Sequence, residues 1–303
     1  MDLRTSIGRI EFKNPVIVAA GTFGYGEEYA SFFDLNRLGA LVTKTITLKP
    51  RQGNPPPRLA ETPAGLLNSI GLENPGVDIF LKKKMPFLRR LETSVIVSIS
   101  GENEDEYLTL AKKLEQEEGI RALEVNVSCP NVRQGEILLG RDAEAVFSLT
   151  RKLKENTTFP FILKLPPSDN IVEVAQAIKE AGGDGVSLIN TVPGMAIDVE
   201  KRRPKLGAVT GGLSGPAIKP IALKMVWDVY TNVDIPIIGM GGIMGFEDAL
   251  EFFLAGASAI AVGTANFVEP AISVKIIEEL EDYLQKENIK EFSHLVGSLN
   301  TGE

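Results

Sequence analysis

The single cysteine of the chain, Cys129, stands where an apolar, strand-like run gives way to a loop, in Asn126-Val127-Ser128-Cys129-Pro130-Asn131. Side-chain amides before and after it can donate and accept hydrogen bonds close to the thiol. Such surroundings suit a group that takes up and releases a proton, which would make Cys129 a general base. A free cysteine can also be a small buried hydrophobe without chemistry, and the residues alone leave this alternative open.

Other polar residues follow other predicted strands. Lys44 and Thr45 end the second strand, Lys164 lies on the fifth, and Asn190 and Thr191 end the sixth. Desolvating an ammonium group is costly, so a lysine on a buried strand needs an anionic partner. Each lysine could therefore form an internal ion pair. Together with the amides beside the cysteine, the two lysines favour a pocket for a planar, anionic, amide-rich ligand.

Glycine-rich turns form a second group of candidate site residues. Gly239-Met240-Gly241-Gly242 follows the seventh predicted strand, Val262-Gly263-Thr264-Ala265-Asn266 closes the eighth, and Thr210-Gly211-Gly212-Leu213-Ser214-Gly215-Pro216 precedes a helix. Glycine lets the backbone approach a phosphate closely, and a helix N-terminus favours an anion. The turns predict a phosphorylated cofactor, although a glycine-rich turn can also simply reverse the chain.

The elements that must position these residues alternate between strands and helices. Short β-branched runs predict strands, several of them apolar throughout, and helical periodicity follows many of them. The predicted strands are residues 15–21, 40–45, 95–100, 122–128, 160–165, 185–190, 235–242 and 258–264, and the predicted helices are residues 104–117, 171–181, 217–230, 246–255 and 272–285. Eight such units predict a TIM (β/α)8 barrel with extended loops at the C-terminal face of the strands, where barrel active sites lie. The alternative, an open doubly wound sheet, lacks its fingerprint because Met244 stands where the third glycine should fall.

Composition narrows the class of protein. The chain has 303 residues, of which 44% are hydrophobic, and we expect residues 1–303 to form a single domain. A net charge of −8 opposes a broad nucleic-acid-binding face. One cysteine and one histidine, His294, leave no disulfide framework, cysteine metal site or histidine-based triad, and we predict no metal. The absence of a signal pattern and of a membrane-length apolar run favours a cytoplasmic protein.

The combined motifs resemble those of the dihydroorotate dehydrogenase family of FMN enzymes. The resemblance runs nearly end to end and is carried by Lys44-Thr45, Asn68-Ser69-Ile70-Gly71-Leu72, Asn126-Val127-Ser128-Cys129-Pro130-Asn131, Ile189-Asn190-Thr191, the turn 210–216, Gly241-Gly242 and Gly263-Thr264. Within the family the chain is most similar to class 1B catalytic subunits, judged by Gly21-Thr22-Phe23-Gly24-Tyr25-Gly26 and Val262-Gly263-Thr264-Ala265-Asn266-Phe267.

The resemblance implies a role for each matching residue. Cys129 would take a proton from carbon 5 of dihydroorotate while carbon 6 delivers hydride to FMN, which yields orotate. The substrate would be bound by Lys44, Asn68, Ile70, Gly71, Leu72, Asn126, Asn131, Asn190 and Thr191. FMN would be bound by Ala20, Gly21, Lys44, Thr45, Ser98, Asn126, Lys164, Ile189, Gly215, Gly241, Gly242, Gly263 and Thr264. Ala20 and Ser98 depart from the family pattern of serine and asparagine, so each would lose or shorten a hydrogen bond to FMN.

The stretches 46–74 and 130–141 are predicted to be rim loops, the second carrying the cysteine over the substrate.

The resemblance also implies partners. A homodimer of this chain would join a second subunit carrying FAD and a 2Fe–2S cluster, giving a heterotetramer that passes electrons to NAD. The main alternative is a class 1A homodimer in which fumarate accepts the hydride. More remote alternatives are a dihydrouridine synthase, a dihydropyrimidine dehydrogenase-type reductase, a Schiff-base aldolase using Lys164, and a barrel that only binds a nucleotide.

Overall fold

Eight parallel strands close into a barrel in the computed structural model, which describes residues 1–128 and 139–302. We number these strands β1 to β8 in chain order: Val16–Val18, Ala40–Val42, Ser94–Ile99, Ala122–Asn126, Phe161–Leu165, Gly185–Leu188, Ile237–Gly239 and Ala259–Val262. Around the barrel the order is β6, β7, β8, β1, β2, β3, β4 and β5, and β5 closes onto β6. The structure confirms the predicted TIM-barrel fold, and the strands are mostly shorter than their predicted ranges.

Most side chains on both faces of the strands are apolar because the barrel has two cores. On β3, Val95, Val97 and Ile99 point outward into the layer between the strands and the helices. Ile96, between them, points into the barrel, where it joins the inward side chains of the other strands. This alternation explains why the buried strands appear in the sequence as continuous apolar runs.

Helices cover most of the outer face of the barrel. The helices of the described residues are Val77–Lys83, Met85–Leu88, Glu104–Leu114, Ala143–Asn156, Ile171–Glu180, Lys219–Asn232, Phe246–Leu254, Ala265–Val268 and Ile272–Lys286, with 3-10 turns at Leu35–Arg37, Leu139–Arg141, Pro216–Ile218 and Phe292–Leu295. All five predicted helices are confirmed with shifted ends. The helix Ala143–Asn156 was not predicted, although Asp142 caps it through the Ala145 N–H and four of its side chains are buried.

An antiparallel hairpin, Thr5–Ile7 with Ile10–Phe12, covers the N-terminal ends of the barrel strands. Ile7, Ile10 and Phe12 are buried in the core of the barrel interior. On this side Asp2, near the start of the chain, forms a β-bridge with Glu291, which follows the helix Ile272–Lys286.

A four-stranded antiparallel sheet stands at the opposite, C-terminal end of the barrel strands. Its order is Val192–Met195, Thr210–Ser214, Gly65–Asn68 and Leu59–Thr62, and Ile197–Asp198 pairs with Arg203–Pro204 beside it. The prediction that residues 46–74 form a rim loop was therefore wrong in part, because residues 59–68 are a hairpin. Thr210–Ser214 was likewise predicted as a loop and is a strand, since pairing on both sides satisfies its backbone despite two glycines.

Candidate active site

A cavity of about 240 Å³ opens where the carboxyl ends of the barrel strands meet the four-stranded sheet. It is lined from β1, β5, β6, β7 and β8 and from the sheet. The predicted site residues among its walls are Ala20, Gly21, Asn68, Ile70, Lys164, Ile189, Asn190, Thr191, Gly215, Gly241, Gly242, Gly263 and Thr264. Residues separated by more than 200 positions in the chain are thus brought to one site.

Other predicted site residues lie close to this cavity without lining it. Thr45 Oγ1 and Ser98 Oγ are 2.9 Å apart in a buried hydrogen bond, and Asn126 is the β-sheet partner of Lys164. Gly71 and Leu72 follow the lining residue Ile70, both with positive φ. Cys129 and Asn131 lie outside the described residues.

The side of the cavity near β7 and β8 is built from backbone and small side chains. A Cβ on Gly21 would have no atom within 4 Å, and one on Gly263 would meet only Ala19, at 3.9 Å. Because Gly21 and Gly263 have no side chains, open space remains beside both positions in the cavity wall. Gly241 and Gly242 have φ of 124° and 82°, which non-glycine residues rarely adopt.

A helix N-terminus adds an electrostatic reason for an anion on this side. Gly215 and Ile218 line the cavity immediately before the helix Lys219–Asn232. The partial positive charge of the first helical turn favours a phosphate there. Nearby, Thr264 Oγ1 donates a 2.7 Å hydrogen bond to Ser214 Oγ, which ties the end of β8 to the four-stranded sheet.

Lys164 lies at the inner end of the cavity and faces a buried carboxylate. Its Nζ is 3.9 Å from Glu124 Oε1, and the two side chains are 8% and 2% exposed. Lys164 therefore agrees with both sequence-based predictions, since it lines the cavity and also forms an ion pair with an internal carboxylate. Glu124 was not predicted as a site residue, although a single acid within the otherwise apolar run 122–125 was a visible signal.

Lys44 is placed at the rim by loop contacts. Its backbone N–H donates to Gly24 O at 2.7 Å, and its Nζ is 3.7 Å from Glu73 Oε2. Arg58 Nη1 donates to the same oxygen of Glu73 at 2.9 Å. Two cations thus share one partly exposed carboxylate, and an incoming anion at Lys44 would compete with it.

Sequence reasoning missed several residues of the cavity wall. Leu59, Leu66, Met244 and Phe267 line it without having been predicted as site residues, and Ser214 and Met240 line it from predicted turns without having been given a role. Leu59, Leu66 and Ser214 belong to the four-stranded sheet, whose pairing between distant segments leaves no local signal in the chain.

A larger open groove lies at the other end of the barrel. It is lined by the N-terminal hairpin and by residues that precede β3, β4 and β8, and its charged side chains include Arg4, Glu11, Glu92 and Arg121. The mixture of both signs gives this groove no net preference for an anion. Within residues 1–128 and 139–302, no group of three or more His, Cys, Asp or Glu side chains is placed to hold a metal ion.

The fold and the cavity define a (β/α)8-barrel protein whose site stands at the C-terminal ends of the strands, where barrel enzymes have theirs. A family model described as dihydroorotate dehydrogenase matches residues 2–284. The chain belongs to the dihydroorotate dehydrogenase family and is an oxidoreductase. This confirms the resemblance, and membership implies a flavin cofactor.

Relatives of known name agree over nearly the whole chain. A protein of Desulforamulus reducens named dihydroorotate dehydrogenase B (NAD(+)), catalytic subunit, is 54% identical over 98% of this chain and 98% of its own length. Proteins with the same name from Geotalea uraniireducens and Desulforudis audaxviator are 51% and 53% identical, covering 99% and 97% of this chain and 99% and 96% of their own lengths. The crystal structure of a dihydroorotate dehydrogenase from Eimeria tenella in complex with ferulenol superposes with a TM-score of 0.81 at 25% identity, covering 98% of this chain and 88% of that one.

Among the described residues, no helix has both the length and the apolar character needed to cross a membrane.

Proposed function

We propose that this chain is an FMN-containing catalytic subunit that oxidises dihydroorotate to orotate in pyrimidine biosynthesis and passes the electrons to NAD through a partner subunit. The observation that carries the proposal is the cavity at the strand ends, which combines a glycine-lined wall beside a helix N-terminus with a buried lysine and rim amides. The names of the relatives supply the reaction and the acceptor.

The cavity fits FMN by its chemistry. Gly215, Gly241, Gly242, Gly263 and Thr264 would hold the phosphate and ribityl chain, because they line the cavity beside a helix N-terminus and Gly263 has open space next to it. Lys164 would lie beside the flavin ring, with Ala20, Gly21, Ile189 and the neighbouring Thr45, Ser98 and Asn126 around it. The bound flavin supplies the hydride acceptor of the reaction.

Two departures from the family pattern bear on this fit. The Ala20 side chain offers no hydrogen bond, and the Ser98 hydroxyl is engaged with Thr45 in the structure. We expect the rest of the phosphate site to retain FMN, with these two positions adjusting its affinity.

The substrate would lie between the flavin and the rim. Lys44 supplies a cation for the carboxylate of dihydroorotate, and Asn68, Asn126, Asn131, Asn190 and Thr191 supply partners for the ring, beside Ile70, Gly71 and Leu72. A ring hydrogen-bonded on every edge is discriminated strongly from analogues. Cys129 would accept the proton from carbon 5, as its motif of flanking amides suggests.

The absorption spectrum of the purified chain tests this proposal. We expect a yellow protein whose flavin bands bleach when dihydroorotate is added without oxygen, with orotate formed in equal amount. A chain that binds FMN but is not bleached would contradict the substrate. A colourless chain that does not take up added FMN would contradict the cofactor and favour an aldolase using Lys164.

The partner explains how the flavin would be reoxidised. We propose that two copies of this chain join two copies of a subunit carrying FAD and a 2Fe–2S cluster, since the one cysteine of this chain cannot supply the thiolates that a cluster needs. The relatives are named catalytic subunits, which implies another subunit in those proteins. Residues 1–303 would act as one FMN-binding unit, and a cytoplasmic location stays a prediction.

Acceptor assays separate this arrangement from the class 1A alternative. The isolated chain should oxidise dihydroorotate with artificial acceptors and reduce NAD negligibly, and adding the partner subunit should restore NAD reduction. Rapid turnover with fumarate by the isolated chain would instead favour the class 1A homodimer.

A further inference from the structure

Glu124 is a buried carboxylate to which the proposed reaction gives no role. Its side chain is 2% exposed and points into the barrel from β4. Glu124 Oε1 has no hydrogen-bond partner among the described residues, which is unusual for a buried polar atom. A buried charge without compensation is costly, so its retention requires a physical explanation.

The cation closest to it is Lys164, which lines the cavity. Lys164 Nζ and Glu124 Oε1 are 3.9 Å apart, within the range of an ion pair and beyond that of a hydrogen bond. The two residues lie on the adjacent strands β4 and β5 and project into the same interior. Glu124 therefore attracts the ammonium without fully satisfying it, which leaves Lys164 with donors for a ligand in the cavity.

The surroundings make this attraction strong. An apolar layer lies behind the pair, toward the N-terminal ends of the strands. It is formed by the inward side chains of Ile96 on β3, Ala122 on β4 and Ile162 on β5, which are at most 1% exposed. The cavity lies on the other side of the pair. Charges next to an apolar layer are poorly screened, so each acts on the other and on any group in the cavity more strongly than it would in water.

We propose that Glu124 is a positioning residue for Lys164: it holds the ammonium at the inner end of the cavity and reduces the net positive charge that bound FMN experiences. The inference rests on the proposed function in that FMN is the occupant. Reduction places negative charge on a flavin, and a nearby cation favours the reduced form. Glu124 would therefore lower the reduction potential of the cofactor below the value that Lys164 alone would set.

The reduction potential of FMN bound to the Glu124→Gln variant tests the proposal, because glutamine keeps the shape and removes the charge. We expect the potential to rise, so that the preference for reduced over oxidised FMN increases about tenfold or more. Lys164→Gln should move the potential in the opposite direction. An unchanged potential in a Glu124→Gln protein that still binds FMN would overturn the proposal.

Glu104→Gln is the matched control. Glu104 pairs with Lys152 on the outer helices, away from the cavity, so its removal changes the net charge equally and should leave the potential unchanged. If Glu124→Gln does not fold, Glu124→Asp is measured instead, which retains the charge but withdraws it from Lys164. A smaller rise of the potential supports the proposal, and no rise contradicts it.

A readout without cofactor separates this inference from the proposed function. In the FMN-free chain, Glu124→Gln and Lys164→Gln should each lower the unfolding temperature, and the double variant should lose less than the sum of the two. Additive losses would contradict the pair. If neither the parent chain nor any variant binds FMN, the proposed function is contradicted. The comparison of the single and double variants then still shows whether Glu124 and Lys164 interact.

Discussion

At the scale of single residues, the predicted chemistry depends on Cys129. Its replacement by serine should keep the fold and FMN but slow flavin reduction by dihydroorotate about 10²–10⁴-fold at neutral pH, the usual contribution of a positioned general base. The hydroxyl has a much higher pKa than the thiol and is a poor proton acceptor at that pH. Stopped-flow absorbance measures the rate. Reduction at the parental rate would assign the proton to another group.

A second residue-scale prediction concerns Glu73. Its carboxylate lies 3.7 Å from Lys44 Nζ, so a substrate carboxylate bound by Lys44, as proposed, would compete with it for that cation. Glu73→Gln should lower KM for dihydroorotate about 2–10-fold with little change in kcat, because the competing charge is gone while Arg58 retains other partners. Steady-state kinetics measure both constants.

Glu102→Gln provides the control for Glu73, since Glu102 pairs with Arg51 and not with Lys44. Its KM should equal that of the parent chain. A higher KM in Glu73→Gln would mean that Glu73 instead orients Lys44 for the substrate.

At the scale of elements, Asp184 joins the N-terminal hairpin to the barrel. Arg9 Nε donates to its Oδ1 at 2.7 Å, and the Phe161 N–H donates to its Oδ2 at 3.0 Å. Burial alone would raise the pKa of Asp184, but these hydrogen bonds outweigh it and lower the pKa below its ordinary value. The charged form is therefore favoured by folding.

Asp184→Asn should accordingly reduce the free energy of unfolding at pH 7 by about 1–3 kcal/mol. Because the pKa of Asp184 is lower in the folded chain, its charge contributes fully to stability above the ordinary carboxyl pKa of about 4. The contribution is lost as the pH falls through the lower folded pKa. Chemical denaturation of both proteins at several pH values should show their difference shrinking below that point. A difference independent of pH down to acid would show that the charge of Asp184 is not responsible.

The exposed pair Lys224–Asp228 provides a comparison, since Asp228→Asn should change stability by less than about 1 kcal/mol.

The elements also show what the sequence could reveal. The eight barrel strands were predictable because most side chains on both faces of β1 to β8 are apolar and helices follow many of them. Most of the cavity wall was also predictable from the glycine turns, the strand-end amides and the lysines, because strand ends converge in any barrel. The four-stranded sheet was not predictable, because Thr210–Ser214 contains two glycines and pairs with Leu66–Asn68 about 145 residues away.

At the scale of the whole molecule, an apolar surface projects from the barrel beside the four-stranded sheet. Met195, Ile197 and Val199 are 49%, 53% and 78% exposed, and Val209 is 49% exposed next to Thr210, the pairing partner of Met195. We expect this surface to contribute to the proposed homodimer, because exposed apolar patches mark association sites.

Val199→Glu should therefore shift the chain from dimer toward monomer in light scattering at micromolar concentration. Ile79→Glu, at a partly exposed position on the helix Val77–Lys83, should leave the dimer intact. A parent chain that is monomeric, or a Val199→Glu chain that remains fully dimeric, would count against this surface.

The bridge between Asp2 and Glu291 gives the molecule a further property. It brings Asp2 and Glu291 together at the N-terminal end of the barrel, while the cavity proposed for substrate and cofactor opens at the other. A short linker could therefore connect the segments around Asp2 and Glu291, and new ends could be opened in a surface turn such as the one around Gly119 without changing any barrel strand. Circularly permuted forms, or carriers fused near Asp2, should keep their catalytic face free, which makes this end the natural attachment point for immobilising the enzyme.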